Sequence, residues 1–187
     1  TYQGFLDFHA YYYHPSNAMI FFYGNDDPEE RLRRMAGYLE GYDRREVDGS
    51  VALQEPFSEP RRITVPYPVS EDESGDAKAL VTVGWLLPEA TDETLVMAME
   101  ILSEILVGTS ASPLYKALID SGLGEDVAGA GLDAEIRQLC LDPGLRGERA
   151  ADADRIEGLI LDTLTQLAQE GIDPDTVAAA LNTTEFA

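Results

Sequence analysis

Cysteine, histidine and positive charge are scarce in this 187-residue sequence. The single cysteine, Cys140, excludes an internal disulfide and any metal site built from several thiolates. It stands between Leu139 and Leu141, a setting that suits a small apolar filler better than a nucleophile. The only histidines are His9 and His14. They are five residues apart with no glutamate between them, and on a helix they would point about 140° apart. His14 also precedes Pro15, which favours an extended backbone. We therefore assign no metal ligand and no catalytic residue to this chain. His14 is expected to close a turn by hydrogen bonding, and His9 to pack beside aromatics.

Bases number 13 against 35 acids, a formal charge of −22. Nucleic acids and anionic membranes both require a basic face, so neither is an expected partner. No apolar run approaches the roughly 18–20 residues that span a bilayer. The opening Thr1-Tyr2-Gln3-Gly4 has no basic flank and no long apolar run, so no signal peptide is expected in it. No Gly-x-Ser-x-Gly elbow supports a serine nucleophile, Ser16 beside His14 notwithstanding. Gly108-Thr109-Ser110-Ala111-Ser112 lacks the Gly-Lys-Ser/Thr ending of a phosphate loop. Glu71, Asp72, Glu73 and Asp76 match a calcium loop in charge but not in ligand spacing, and read as a solvated acidic loop.

The chain is long enough to bury a sizeable core. Tyr2–Tyr12 reads as a helix capped by Thr1 and stopped by Pro15. Ala18–Tyr23 is nearly continuous apolar, as an interior strand would be. Asp27 suits the N-cap of a second helix, with Pro28 at its first position and Glu29 and Glu30 at the positive end of its dipole. Asp43–Pro60 is expected to be a long connection. Arg62–Tyr67 alternates like a strand, and Pro66 marks it as an edge. Ala77–Leu87 carries the clearest strand pattern, with Ala79, Val81, Val83, Trp85 and Leu87 on one face. A broad helix follows from Thr91 or Asp92 to Gly108. A shorter helix is expected over Ser112–Ser121, a strand pair over Val127–Leu141, and a turn at Asp142-Pro143-Gly144. A long amphipathic helix is expected over Ala151–Glu170, and a last one from Asp173 or Asp175. This order predicts an α+β fold, a mainly antiparallel sheet with helices packed on one face.

Two blocks carry a resemblance. One is Phe8-His9-Ala10-Tyr11-Tyr12-Tyr13-His14-Pro15-Ser16-Asn17-Ala18 with Tyr23-Gly24-Asn25-Asp26-Asp27. The other runs from Ile105-Leu106-Val107-Gly108-Thr109-Ser110-Ala111-Ser112-Pro113-Leu114 to Asp120-Ser121-Gly122-Leu123-Gly124. A helix pair spanning Leu159 to Pro174 adds a third. The sequence resembles the pitrilysin/insulinase-type zinc metallopeptidases, in their presequence-protease branch, over nearly its whole length. The resemblance implies the second, non-catalytic domain of a half-molecule, with a fold like that of the mitochondrial processing peptidase. It implies that residues 1–187 are one such domain within a larger chain. The implied partners are a preceding catalytic domain holding zinc through His-x-x-Glu-His, a second half of the same chain, and peptide substrates, basic ones included. The implied setting is a bacterial cytoplasm or an organellar matrix, and the implied role is part of the wall of a peptide-degrading chamber. The alternative on the same fold is a structural or interaction subunit with no proteolytic role. Candidate acids for facing the chamber are Glu71, Asp72, Glu73, Asp76, Glu125, Asp126, Asp133 and Glu135; the alternative is that they face bulk water and serve only solubility. The sequence departs from the family at Cys140–Gly147, where Pro143 would break a strand otherwise uninterrupted, making it bulged or an edge.

Overall fold

Local capping starts the first helix. The Thr1 Oγ1 accepts from the Gly4 N–H at 3.1 Å, and α1 runs Tyr2–Tyr12. The computed structural model describes residues 1–68, 78–129 and 131–186. By its internal contacts the chain forms two compact units, Thr1–Ala52 and Leu53–Ala187.

The first unit holds α1, a 3₁₀ turn at Pro15–Asn17 and α2 over Pro28–Leu39. The Asp27 Oδ1 accepts from the Glu29 N–H at 2.8 Å, and Pro28 occupies the first helical position, as the sequence predicts. Arg45 closes the unit. Its guanidinium donates to the carbonyls of Ala10 at 2.6 Å and Tyr11 at 2.7 Å, two groups left over at the end of α1. No residue of this unit is fully buried.

The expectation of an interior strand at Ala18–Tyr23 fails here. The segment is irregular, with Met19, Phe21 and Tyr23 at 82–99% exposure. Its composition demands cover on both faces, but this unit contains no strand that could share a ladder with it. Phe22 meets the Arg31 guanidinium, 5.0 Å from its ring centroid.

The second unit is α+β. In chain order it contains β1 (Ala79–Thr82), β2 (Trp85–Glu89), α3 (Glu93–Val107), α4 (Pro113–Asp120), β3 (Asp126–Ala128), β4 (Leu132–Asp133), β5 (Gln138–Leu141), β6 (Gly144–Glu148), α5 (Ala153–Glu170) and α6 (Pro174–Phe186). Two three-stranded antiparallel ladders form, β1–β6–β3 and β2–β5–β4.

These ladders continue one another across a crease. β1 leads into β2 through Val83-Gly84, β3 into β4 through residues 129–131, and β5 into β6 through Asp142-Pro143. All three long strands therefore break at one level. Within the crease two hydrogen bonds still link neighbouring strands: the Val83 N–H donates to the Pro143 carbonyl at 3.0 Å, and the Asp142 N–H to the Gly131 carbonyl at 3.1 Å. Gly129 explains part of the break, since its φ is +85° and a Cβ there would sit 1.8 Å from the Asp142 carbonyl oxygen. Pro143 supplies the rest, having no N–H to donate. The strand is interrupted at Pro143 as expected, but it is central to both ladders and not an edge.

Helices cover one face of the sheet. Leu106 of α3, Leu114 and Leu118 of α4, Leu145 of β6, and Ile156 and Ile160 of α5 form the buried cluster. Val81, Val83 and Trp85 pack against it, as their alternation predicts, while Leu80 points to the other side at 56% exposure. Between α3 and α4 the chain folds on its own side chains. The Ser112 hydroxyl donates to the Glu104 carbonyl at 3.2 Å and accepts from the Thr109 N–H at 3.1 Å, and Pro113 begins α4. The Gly108–Ser112 block is thus an interhelical elbow.

Arg62–Tyr67, expected as an edge strand, joins no ladder. Side chains hold it instead: Arg62 pairs with Asp154 and Glu157 of α5, and the Tyr67 hydroxyl donates to the Lys78 carbonyl. Pro66 removes a ladder donor in the middle of the run. The acidic loop Ser70–Asp76 lies outside the described residues.

Candidate functional site

The histidines are engaged structurally. His9 stacks on Tyr13 with centroids 4.5 Å apart and lies 6.5 Å from Phe5. The His14 Nδ1 accepts from the Ser16 N–H at 3.1 Å and so caps the 3₁₀ turn, while Tyr42 meets the ring edge-on at 5.5 Å. Both carry the roles expected of them. His14 also borders an open cleft of about 680 Å³ in the first unit, with Ser16, Tyr42, Arg45 and Asp48 on its walls. The Arg45 backbone N–H donates to the Ser16 Oγ at 3.1 Å, tying the two walls together. The cleft offers polar groups but no base paired with a nucleophile.

Among the described residues no set of metal-ligating side chains is assembled. One nitrogen of His14 is committed to a backbone N–H, His9 faces a tyrosine ring, and no three His, Cys, Asp or Glu side chains are grouped to hold an ion.

Cys140 sits half-buried in β5, opposite Leu86 on one side and Asp133 on the other. Burial raises its thiol above the ordinary value, and the charges of Asp142 and Asp133 raise it further. It stays protonated at neutral pH, which suits an inert filler.

Of the candidate chamber acids, four fall in the described second unit. Asp126 pairs with Arg146 directly across the β3–β6 ladder, which cancels its charge locally. Asp133 accepts from the Glu135 N–H at 3.0 Å, making a local turn. Glu125 precedes β3 and Glu135 follows β4.

Two carboxylates carry more structure than the sequence suggested. Asp152, its side chain 10% exposed, sits at the start of α5 between two guanidinium groups, 2.8 Å from Arg155 Nη1 and 3.1 Å from Arg149 Nε. Arg155 first, then Arg149, holds its carboxyl below the ordinary value, against the opposing effect of burial. The i, i+3 spacing on either side of Asp152 was visible, but its meaning depends on where α5 begins. Asp142 Oδ1 is buried in the crease with no hydrogen-bond partner among the described residues. Only the position of the crease could have pointed to it.

Residues 1–184 match the family described as the peptidase M16 inactive domain. The chain belongs to that family. Within its range of relatives, an M16 inactive domain of this type is 42% identical over 189 residues to presequence protease 1, chloroplastic/mitochondrial, of Arabidopsis thaliana. It is 33% identical over 189 residues to the mitochondrial presequence protease of Xenopus laevis, and 32% identical over 187 residues to protein HypA of Clostridium perfringens strain 13. Each alignment covers 100% of this chain but only 18–19% of the relative. The M16 chain thus spans about a fifth of the length of these relatives. Among its described residues no helix is long and apolar enough to cross a membrane.

Proposed function

We propose that residues 1–187 act as the non-catalytic domain of a zinc-dependent peptidase that degrades unfolded peptides. The observation that carries this reading is the 42% identity to a presequence protease along the entire chain. The match of residues 1–184 to the peptidase M16 inactive domain supports the non-catalytic part. On this reading zinc belongs to a preceding domain of the parent chain. The sheet and its helices form part of a chamber wall, and the parent works in a bacterial cytoplasm or an organellar matrix.

The second unit supports a preference for basic peptides. It carries 26 of the 35 acids and 8 of the 13 bases. A wall of one sign focuses its field into an enclosed space and speeds the encounter with opposite charge.

The test uses the full-length parent protein. A His-x-x-Glu-His motif encoded upstream, cleavage of an unfolded peptide, and loss of cleavage with a chelator and with the motif's Glu→Gln variant are the expected results. A full-length protein that lacks the motif and leaves peptides intact would instead be the structural subunit. For charge, amide replacement of Glu125, Asp126, Asp133 and Glu135 should lower kcat/KM for a basic peptide and spare a neutral one. The difference should shrink with salt, since screening acts over about 8–10 Å at physiological ionic strength. Equal effects on both peptides would refute the preference.

A further inference from the structure

Helices α3 and α6 pack side by side and leave a groove of about 560 Å³ between them, outside anything used so far. Its floor is apolar: Met97 and Ile101, one turn apart on α3, face Ala178 and Leu181 on α6. Met97 is 49% exposed and Leu181 46%, so the floor is open to water. The rim is acidic. Glu93 and Glu100 flank Met97 at helical spacing, and Glu185 lines the groove itself. Neither helix carries a single Lys or Arg.

That combination selects an occupant. Parallel rows of side chains at i, i+3 and i+4 spacing on two helices accept a third helix lying along the groove with its own apolar row inward. A negative rim without counter-charge favours Lys and Arg beside that row. A second copy of this chain would set acid against acid across the contact, and a neutral apolar helix would leave the rim acids unanswered. We propose that the α3–α6 groove docks a basic amphipathic helix of a partner protein.

On the peptidase reading the full-length parent also takes basic peptides into its chamber, so the groove is judged by the change that groove variants make to binding. The full-length parent protein is titrated, with a chelator present to prevent cleavage, against a labelled Leu/Lys peptide of about five helical turns with all leucines on one face. Two controls accompany it: the same residues scrambled so that no apolar face forms, and the amphipathic peptide with Glu in place of Lys. The amphipathic cationic peptide should bind at least about tenfold tighter than either control. The double variant Met97→Lys/Leu181→Lys should weaken it about tenfold while leaving the thermal melt unchanged, because both side chains are half in water already. Glu100→Gln/Glu185→Gln should weaken it and flatten its salt dependence. Equal binding of the scrambled peptide would reduce the effect to bulk charge and overturn the proposal. So would undiminished binding by the Met97→Lys/Leu181→Lys protein. Protection of a Met97→Cys thiol from maleimide in the full-length protein would show that the parent chain fills the groove itself, which also overturns it.

Discussion

Replacing Gly129 by alanine should destabilise the chain by about 2–5 kcal/mol, and three glycines together isolate the cause. At Gly158, inside α5, the backbone is helical and a Cβ would have no neighbour within 4 Å. Alanine there removes the entropic penalty of glycine and should stabilise by about 0.5–1 kcal/mol. At Gly171, which ends α5 with φ +83°, a Cβ also meets nothing within 4 Å. Only backbone strain is added, about 1–3 kcal/mol at φ +83° and ψ 176°. At Gly129 a positive φ of +85° also strains alanine, and the Cβ would lie 1.8 Å from the Asp142 carbonyl oxygen. That oxygen belongs to the central strand and cannot rotate away. The strand must move, adding the roughly 1–3 kcal/mol typical of overpacking. With a urea slope of about 1–3 kcal/mol per molar, the Gly129→Ala midpoint should fall by about 1–2 M, the Gly171→Ala midpoint by less, and the Gly158→Ala midpoint should rise. Urea melts followed by circular dichroism decide the matter. If Gly129→Ala costs no more than Gly171→Ala, the close approach at the crease is wrong.

Three further outcomes are expected. Leu118, fully buried between α3, α5 and β6, should cost about 3–5 kcal/mol on change to Ala, whereas Met19→Ala at 99% exposure should move the urea midpoint by an amount equivalent to less than about 0.5 kcal/mol. Asp152 has a carboxyl held below its ordinary value of 3.8, so the stability it contributes is complete above that pH, falls as pH drops through it, and is gone below the folded value. Asp152→Asn should therefore lower stability at pH 7 and make the acid limb of a stability-against-pH curve shallower; an unchanged limb would show that the two arginines do not act on it. Cys140 should alkylate with a pH inflection above that of a free-thiol control, and Asp142→Asn should lower the inflection without abolishing the shift, because burial is the larger cause and the aspartate charge the smaller.

The helices were legible because their signals are local. Thr1, Asp27, Gly108 and Gly171 mark ends through bonds to residues two to four positions away, Pro28 marks a start through its fixed φ, and the observed helix ends use those residues. The inward face of Ala79–Trp85 was legible for the same reason, since alternation within one strand states which side is buried. What failed depends on partners distant in sequence. Ala18–Tyr23 has the composition of a buried strand, but composition states a need for neighbours without supplying them. The crease needed three coincidences at one level, Gly84, Gly129–Gly131 and Pro143, and the strand register that aligns them is set by pairing. Of the site, the roles of His9, His14 and Cys140 could be read in advance. The Asp152 clasp could not, because it rests on the exact start of α5.

The aligned breaks also bear on how the sheet opens. A ladder interrupted on every strand at once is two hydrogen-bonded rafts joined by the strands' own backbones, with the Val83–Pro143 and Asp142–Gly131 bonds linking neighbouring strands at the crease between them. The β1–β6–β3 raft lies against α4 and α5, and its Leu145 belongs to the helix-packed buried cluster, while the β2–β5–β4 raft borders α3 and holds the equally buried Leu139 outside that cluster. Such rafts are candidates for separate cooperative units. Native-state amide exchange should then show β2, β4 and β5 opening together at lower free energy than β1, β3 and β6, with Val83 and Asp142 amides following the weaker raft. One shared opening energy for all six strands would mean that the crease transmits cooperativity as well as an unbroken sheet does.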